Sequence, residues 1–250
     1  MGILATIFQH RGAVGHSHRG GDHGTGHPHR GGAHGTGSAH GIPGGGGEHH
    51  GHGVMSHAGS YDRLTRLVTL GRRDRIYAGL AALTDAAPGE HAVDLGCGTG
   101  ALTRALATRV GPRGLVTGID PSEDMVAYAS RTATPTIRYA VHPAEALPFR
   151  DESVHVVATA LAMHHIDADQ RPVAVAEAHR VLVPGGRLLV VDLHPPRNRI
   201  ARHLIDALTG PEMANSDMVA LRGLVEGAGF EVVDVGVRSV AFGYVLGRKP

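Results

Sequence analysis

From about Tyr61 onward the chain carries short runs of apolar residues whose period changes from segment to segment. In YDRLTRLVTLGRRDRIYAGLAAL (61–83), Leu64, Leu67 and Val68, then Ile76, Leu80 and Leu83, fall at helical spacing, which predicts helix packed on a core. EHAVDLGCGTGALTRALATRV (90–110) predicts a short apolar strand, a glycine-rich turn and an amphipathic helix. GLVTGID (114–120) reads as a second strand, and VHVVATALAM (154–163) and GRLLVVDL (186–193) as further ones. Gly185 and Gly186 are expected to make a tight turn into the last of these. Residues 195–217, PPRNRIARHLIDALTGPEMANSD, are the most irregular part of this body.

Residues 1–57 differ in kind, being mostly Gly and His with no apolar run long enough to offset the entropy of ordering. The expectation is a disordered low-complexity tail followed by one globular domain over residues 58–250. HRGGDHGTGHP (18–28) and HRGGAHGTGSA (29–39) repeat one unit, too short and too Gly-rich for a solenoid. Neutral imidazoles on such a flexible chain would bind Ni, Zn or Cu weakly and adventitiously. A solvated tail that titrates with pH is the plainer reading, and no structural metal site is expected. Met55 stands just before the body and is an alternative start.

The formal net charge is +1, and no basic stripe with interleaved aromatics appears, which argues against nucleic acid as a partner. Cys97 is the single cysteine, so there is no intramolecular disulfide and no Cys-ligated zinc site, and a reducing cytoplasm fits. The opening MGILATIF lacks the basic region and the length of a signal peptide or membrane span. Its match to an N-myristoylation pattern through Gly2 and Thr6 reads as accidental.

The chemistry concentrates at the glycine turn. Gly96, Gly98 and Gly100 let the backbone turn sharply and approach a ligand, while the first amides of the following helix point into the same space. Asp120, at the end of the second strand, is placed to accept ribose hydroxyls. Gly96, Gly98 and Ala101 also satisfy the looser dinucleotide fingerprint, so spacing alone leaves NAD open. Charge favours another ligand: Asp94 at the mouth of the loop would oppose a pyrophosphate and suit an ammonium and a sulfonium.

VDLGCGTG, GIDPSEDMVAYA, AEALPFRDESV, HHID and HRVLVPGGRLLVVDL, in this order, resemble the Rossmann-fold (class I) S-adenosylmethionine-dependent methyltransferases from about Tyr61 to the end. The resemblance is nearest to small-molecule enzymes of the menaquinone and ubiquinone C-methylating type. It implies an α/β fold: a doubly wound, seven-stranded Rossmann-like sheet, mostly parallel with an antiparallel last strand, and helices on both faces. GFEVVDVGVRSVAFGYVLGRKP (229–250) would be the terminal hairpin arm. The implied cofactor is S-adenosyl-L-methionine. Asp94 and the backbone of Gly96, Cys97, Gly98 and Gly100 would hold its methionine part, Asp120 and Pro121 its ribose, and Met125, Ala144 and Glu145 its adenine, with Ala160 completing the wall. Pro143 stands where the family commonly has an Asp that reads the adenine amino group, so adenine recognition falls to apolar contact or to Glu145. Val154 and His155 replace a usual aromatic and Asp.

Methyl transfer from a sulfonium is an in-line displacement, so the protein mainly aligns the reactants and excludes water. A base is needed only for an acceptor that carries a proton. His164 and His165, after the fourth strand at the carboxyl end of the sheet, are the candidates, with a turn of purely structural histidines as the alternative. His194 is a weaker one, and Asp192 either lines the acceptor pocket or bonds its loop. Glu177 and Arg180 read as a helical ion pair, and Cys97 as a small, unactivated loop residue. By analogy with related enzymes Tyr61 would border the methyl group. The acceptor is a small molecule, and Ile200, Leu204, Ile205 and Leu208 fit a lipophilic one as well as they fit ordinary core. A metal-binding or metal-sensing protein that uses the tail, and an NAD-dependent oxidoreductase, remain the alternatives.

Overall fold

The computed structural model describes residues 72–194, 218–238 and 242–250. The tail, Tyr61, the start of the first amphipathic segment and residues 195–217, with Ile200, Leu204, Ile205 and Leu208, lie outside them. The elements run α1 (Arg73–Leu83), β1 (His91–Leu95), α2 (Ala101–Val110), β2 (Leu115–Asp120), α3 (Glu123–Ala129), β3 (Ile137–Val141), β4 (Val154–Ala160), α4 (Arg171–Val181), β5 (Leu182–Leu193), α5 (Met218–Gly227), β6 (Glu231–Arg238) and β7 (Phe242–Arg248). They build one seven-stranded sheet of order β3-β2-β1-β4-β5-β7-β6. Strands β1 to β5 pair in parallel, whereas β7 runs antiparallel between β5 and β6.

The unbroken apolar runs follow from cover on both faces of the sheet. On one face Leu80 and Ala81 of α1 and Leu102, Leu106 and Val110 of α2 bury Ala92, Val116, Val156, Ala158, Leu189 and Val191. On the other, Val175, Ala178 and Val181 of α4 and Leu221 and Val225 of α5 bury Val93, Val157, Leu188, Val190 and Val245. Neighbours in sequence therefore serve opposite cores, which is the doubly wound arrangement. Each fully buried Leu or Val contributes about 1.5–3 kcal/mol. Leu106, Val93 and Val157 are wholly inaccessible.

Glu177 and Arg180 do form the expected pair, Nε to Oε1 at 2.7 Å. Arg180 also donates to the carbonyls of Leu147 and Phe149, so the pair ties α4 to the segment after β3. The tight turn expected at Gly185 and Gly186 lies within the span of β5, where the register against β4 shifts. Val154 pairs with Leu182 and Val156 with Arg187, which leaves the residues between looped out of register. Gly185 takes the left-handed conformation there (φ 77°), and its N–H donates to the Lys249 carbonyl while Lys249 N–H donates to that of Gly186. The end of the chain holds this turn, a long-range contact that local spacing does not encode.

Strand order reverses between β1 and β4, each βα crossover turning away from the other, and opens a crevice at the carboxyl ends of these strands.

Candidate active site

A cavity of about 470 Å³ occupies that crevice. Its floor is the turn between β1 and α2. Gly96, Gly98 and Gly100 all have left-handed φ, of 67°, 50° and 78°, which only glycine adopts without strain. A Cβ on Gly98 would meet no atom within 4 Å, so this face of the loop lies open to the cavity for close approach of a ligand. Gly100 does not line it, contrary to expectation. Its N–H donates to the Cys97 carbonyl at 2.8 Å and it caps α2 with Tyr139 packed behind it, so it shapes the loop from the rear.

Asp120 ties the loop to β2. One carboxylate oxygen accepts from the Gly98 N–H at 2.8 Å and the other from the Ser122 N–H at 2.9 Å, and each keeps a lone pair for a ligand hydroxyl. Burial raises its pKa, against the pull of the two amides. Asp94 is 1% exposed and accepts from the Thr103 hydroxyl at 2.6 Å. Burial pushes it up to about 7, with the charge of Asp120 adding to the rise. Two carboxylates thus face one cavity, which suits a cationic ligand and opposes a pyrophosphate. Burial, then Asp94 and Asp120, keep the Cys97 thiol protonated, in line with its reading as an unactivated loop residue. Asp120→Ala is expected to weaken S-adenosylhomocysteine binding about 100-fold by calorimetry, since a cavity-lining acceptor and the tether of Gly98 are lost together. Unchanged affinity would remove Asp120 from the site.

Pro121, Met125, Ala144, Glu145 and Ala160 line the cavity as expected, and Pro143 stands in its rim. Met125 and Ile119 are buried there and give an apolar wall for a flat ring. With no Asp at Pro143, Glu145 and His142 are the polar groups nearby, and His142 had not been singled out.

The two histidines part company. His165 lines the cavity; burial, and then repulsion from His164, draw its pKa down to about 4 against the pull of Asp192, so it is neutral at pH 7. His164, expected beside it as a candidate base, does not line the cavity: its Nδ1 lies 2.8 Å from Oδ1 of Asp192, itself 3% exposed. Successive residues of the short 3-10 turn Met163–His165 project in different directions, and the buried carboxylate takes the nearer ring. Neither Asp192 nor His194 lines the cavity. Leu161, just before the turn, sits at φ 60°, a strained conformation for its side chain, at the cavity wall.

Three wall residues escaped the sequence reading. Arg73 is 5% exposed, donates to the Thr99 hydroxyl, and lies 5.7 Å from the centre of the Tyr77 ring. Their spacing of four on α1 was the available signal, masked by the arginines around it. The Thr159 hydroxyl, on a residue 2% exposed near the end of β4, has no hydrogen-bond partner among the described residues. Such a group costs roughly 1–3 kcal/mol unless a ligand satisfies it. An open glycine cradle, an orphaned hydroxyl, two carboxylates and an apolar wall together fit S-adenosylmethionine.

Sheet, switch-point cavity and glycine loop define a nucleotide-binding α/β protein of the Rossmann class. Residues 92–186 match the family model described as a methyltransferase domain. The chain is 32% identical over 182 residues to an uncharacterized methyltransferase of Synechocystis, spanning 69% of this chain and 82% of that one. It is 33% identical over 150 residues to a demethylmenaquinone methyltransferase of Symbiobacterium thermophilum, covering 58% of this chain. It spans only 59% of the length of that relative, and 59% of its counterpart from Lactobacillus johnsonii. A SAM-dependent methyltransferase of Aquifex aeolicus shares the fold, with a TM-score of 0.63 at 19% identity over 76% of this chain and 98% of that one. The chain belongs to the class I S-adenosylmethionine-dependent methyltransferases.

Proposed function

We propose that the protein transfers a methyl group from S-adenosylmethionine to a small, apolar acceptor bearing an ionisable hydroxyl, of the reduced-quinone type. The observation that carries this reading is one cavity lined by Asp94, Asp120 and a neutral His165 together. Relatives named as demethylmenaquinone methyltransferases and as ubiquinone/menaquinone C-methyltransferases support the acceptor class.

In this reading Asp94 receives the positive end of the cofactor, Asp120 its ribose, and Met125 with Ile119 its adenine. Arg73, the buried cation at the same loop, would hold the methionine carboxylate. When bound, the cofactor supplies an electrophilic methyl carbon on sulfur. His165 takes the hydroxyl proton of the acceptor, which turns it into the stronger nucleophile that the displacement needs. Leu161, Met163 and Ile166 hold water away from the reacting atoms. Among the described residues no helix is long and apolar enough to cross a membrane, and the cytoplasm is the proposed place of action. The histidine-rich tail, outside the described residues, enters only as an adventitious metal binder.

Calorimetric titration with S-adenosylhomocysteine against NAD tests the donor site, with binding of the first alone expected. Transfer of labelled methyl to 1,4-naphthohydroquinone tests the acceptor class. His165→Ala should lower kcat about 100-fold with S-adenosylhomocysteine affinity held within about threefold. Wild-type turnover would dismiss the base.

A further inference from the structure

His164 has a chemically expensive environment that packing alone does not explain. Its Nδ1 is bound to buried Asp192, while its Nε2 is buried with no hydrogen-bond partner among the described residues. With the Asp192 carboxylate ionised, Nδ1 must carry the ring proton and donate it, which leaves Nε2 a bare lone pair. A phenylalanine or leucine would fill the same space without that penalty of about 1–3 kcal/mol. What the ring touches instead is His165, at 4.1 Å between centroids and a tilt of 45°. His165 in turn borders the cavity.

The order in space is therefore carboxylate, imidazole, imidazole, cavity. Asp192 lies next to the last residue of β5 and the histidines follow β4, strands paired in parallel with Ala160 opposite Val191. The pairing of the two strands thus fixes the distance between carboxylate and turn, and the carboxylate fixes the rotation of His164.

We propose that Asp192 and His164 are a positioning pair that acts through His165: the carboxylate locks His164 by its Nδ1, and the locked ring holds that of His165 against the cavity. The proposal rests on the reading of His165 as proton acceptor. The acceptor's O–H proton passes to a ring nitrogen of His165. S-adenosylmethionine held there would supply the methyl carbon, the C–S electron pair staying on sulfur as an electron pair of the deprotonated acceptor makes the new bond, and where that bond is to a ring carbon the carbon's own proton would move to the acceptor oxygen. The resulting imidazolium returns its proton to water after the product leaves, and Asp192 and His164 gain and lose none. The negative charge of Asp192 behind the stack offsets the positive charge that His165 acquires, as a buried aspartate does behind a catalytic histidine.

The test uses the full chain, Asp192→Asn, His164→Phe, His165→Ala and the double variant Asp192→Asn/His165→Ala. Long-range proton–nitrogen spectra of the imidazoles, recorded with S-adenosylhomocysteine and no acceptor, should show the Nδ1–H tautomer of His164. Asp192→Asn should shift the signals of both His164 and His165. With 1,4-naphthohydroquinone as probe, Asp192→Asn should lower kcat about 30-fold with KM within about twofold. His164→Phe, which keeps a ring in the stack but loses the carboxylate's grip, should lower kcat by a similar factor. The loss from Asp192→Asn should vanish in the His165→Ala background, because the pair has nothing left to act through. His165 signals that ignore Asp192→Asn, or a loss that multiplies in the double variant, would overturn the proposal. Wild-type turnover in His165→Ala would instead remove the base reading, and the spectra would still decide whether the pair positions the ring.

Discussion

Asp94→Asn is expected to give a protein that is harder to unfold at pH 8 and that no longer holds its cofactor. The wild-type carboxyl is buried at the end of β1, and burial lifts its pKa from the ordinary 3.8 to about 7. A raised acid holds its proton in the native state over a window where the unfolded chain has lost it. Its contribution to stability is therefore fully present below pH 3.8, falls as pH rises, and is gone above about 7. The difference amounts to at most about 4 kcal/mol. Asparagine keeps the shape, still accepts the Thr103 hydroxyl, and carries no charge to desolvate. Denaturant unfolding at pH 5 and pH 8 should show a decline for the wild type that the variant lacks. Calorimetry should show S-adenosylmethionine binding weakened about 100-fold or more, since a buried carboxylate facing a cation is a strong partner. For the same reason wild-type affinity should rise as pH passes upward through about 7. A variant less stable than the wild type at pH 8, or one that binds equally well, would refute this account.

Much of the architecture was legible because its signals are local. The β1 strand, glycine loop and α2 helix stand in one continuous stretch, Asp120 follows at a readable distance, and the apolar runs of β4 and β5 are bracketed by polar residues and glycine. β3 was not singled out. Its residues IRYAV form an outer strand of which only Ile137 is buried, with no glycine to mark its ends. That the turn at Gly185 falls inside β5 is not legible in the sequence, because it is held by Lys249 at the far end of the chain. The site divides in the same way. Glycine spacing and resemblance located Asp94, Gly98, Asp120 and Met125, whereas Thr159 hides in an apolar run and Arg73 in the stretch RRDR. For two adjacent histidines sequence gives identity without direction. Which ring meets the cavity and which meets Asp192 is set by the register of β4 on β5.

Gly96→Ala should be the most disruptive single-atom addition in the site, and its partial cure should be Ala162→Gly. Gly96 combines two demands. Its φ of 67° strains any side chain, and a Cβ built there falls inside van der Waals contact with the Cβ of Ala162. Ala162 lies between strained Leu161 and the turn that carries the histidines, so the glycine loop and the histidine turn meet at this contact. Neither neighbour is a flexible chain end that swings aside. The added methyl must therefore displace one loop or the other, shifting either the amides around Gly98 or the ring of His165. Left-handed strain contributes about 1–2 kcal/mol and overpacking about 1–3 kcal/mol. Unfolding by denaturant should therefore report a loss of about 2–5 kcal/mol, and kcat/KM for methylation of 1,4-naphthohydroquinone should fall about 100-fold or more. In the double variant Gly96→Ala/Ala162→Gly the clash is relieved while the strain persists. The cycle should then show a favourable coupling of about 1–3 kcal/mol with most of the turnover restored. Strictly additive losses would mean that the two loops are not coupled through this contact, and that the close approach of Gly96 serves the backbone turn alone.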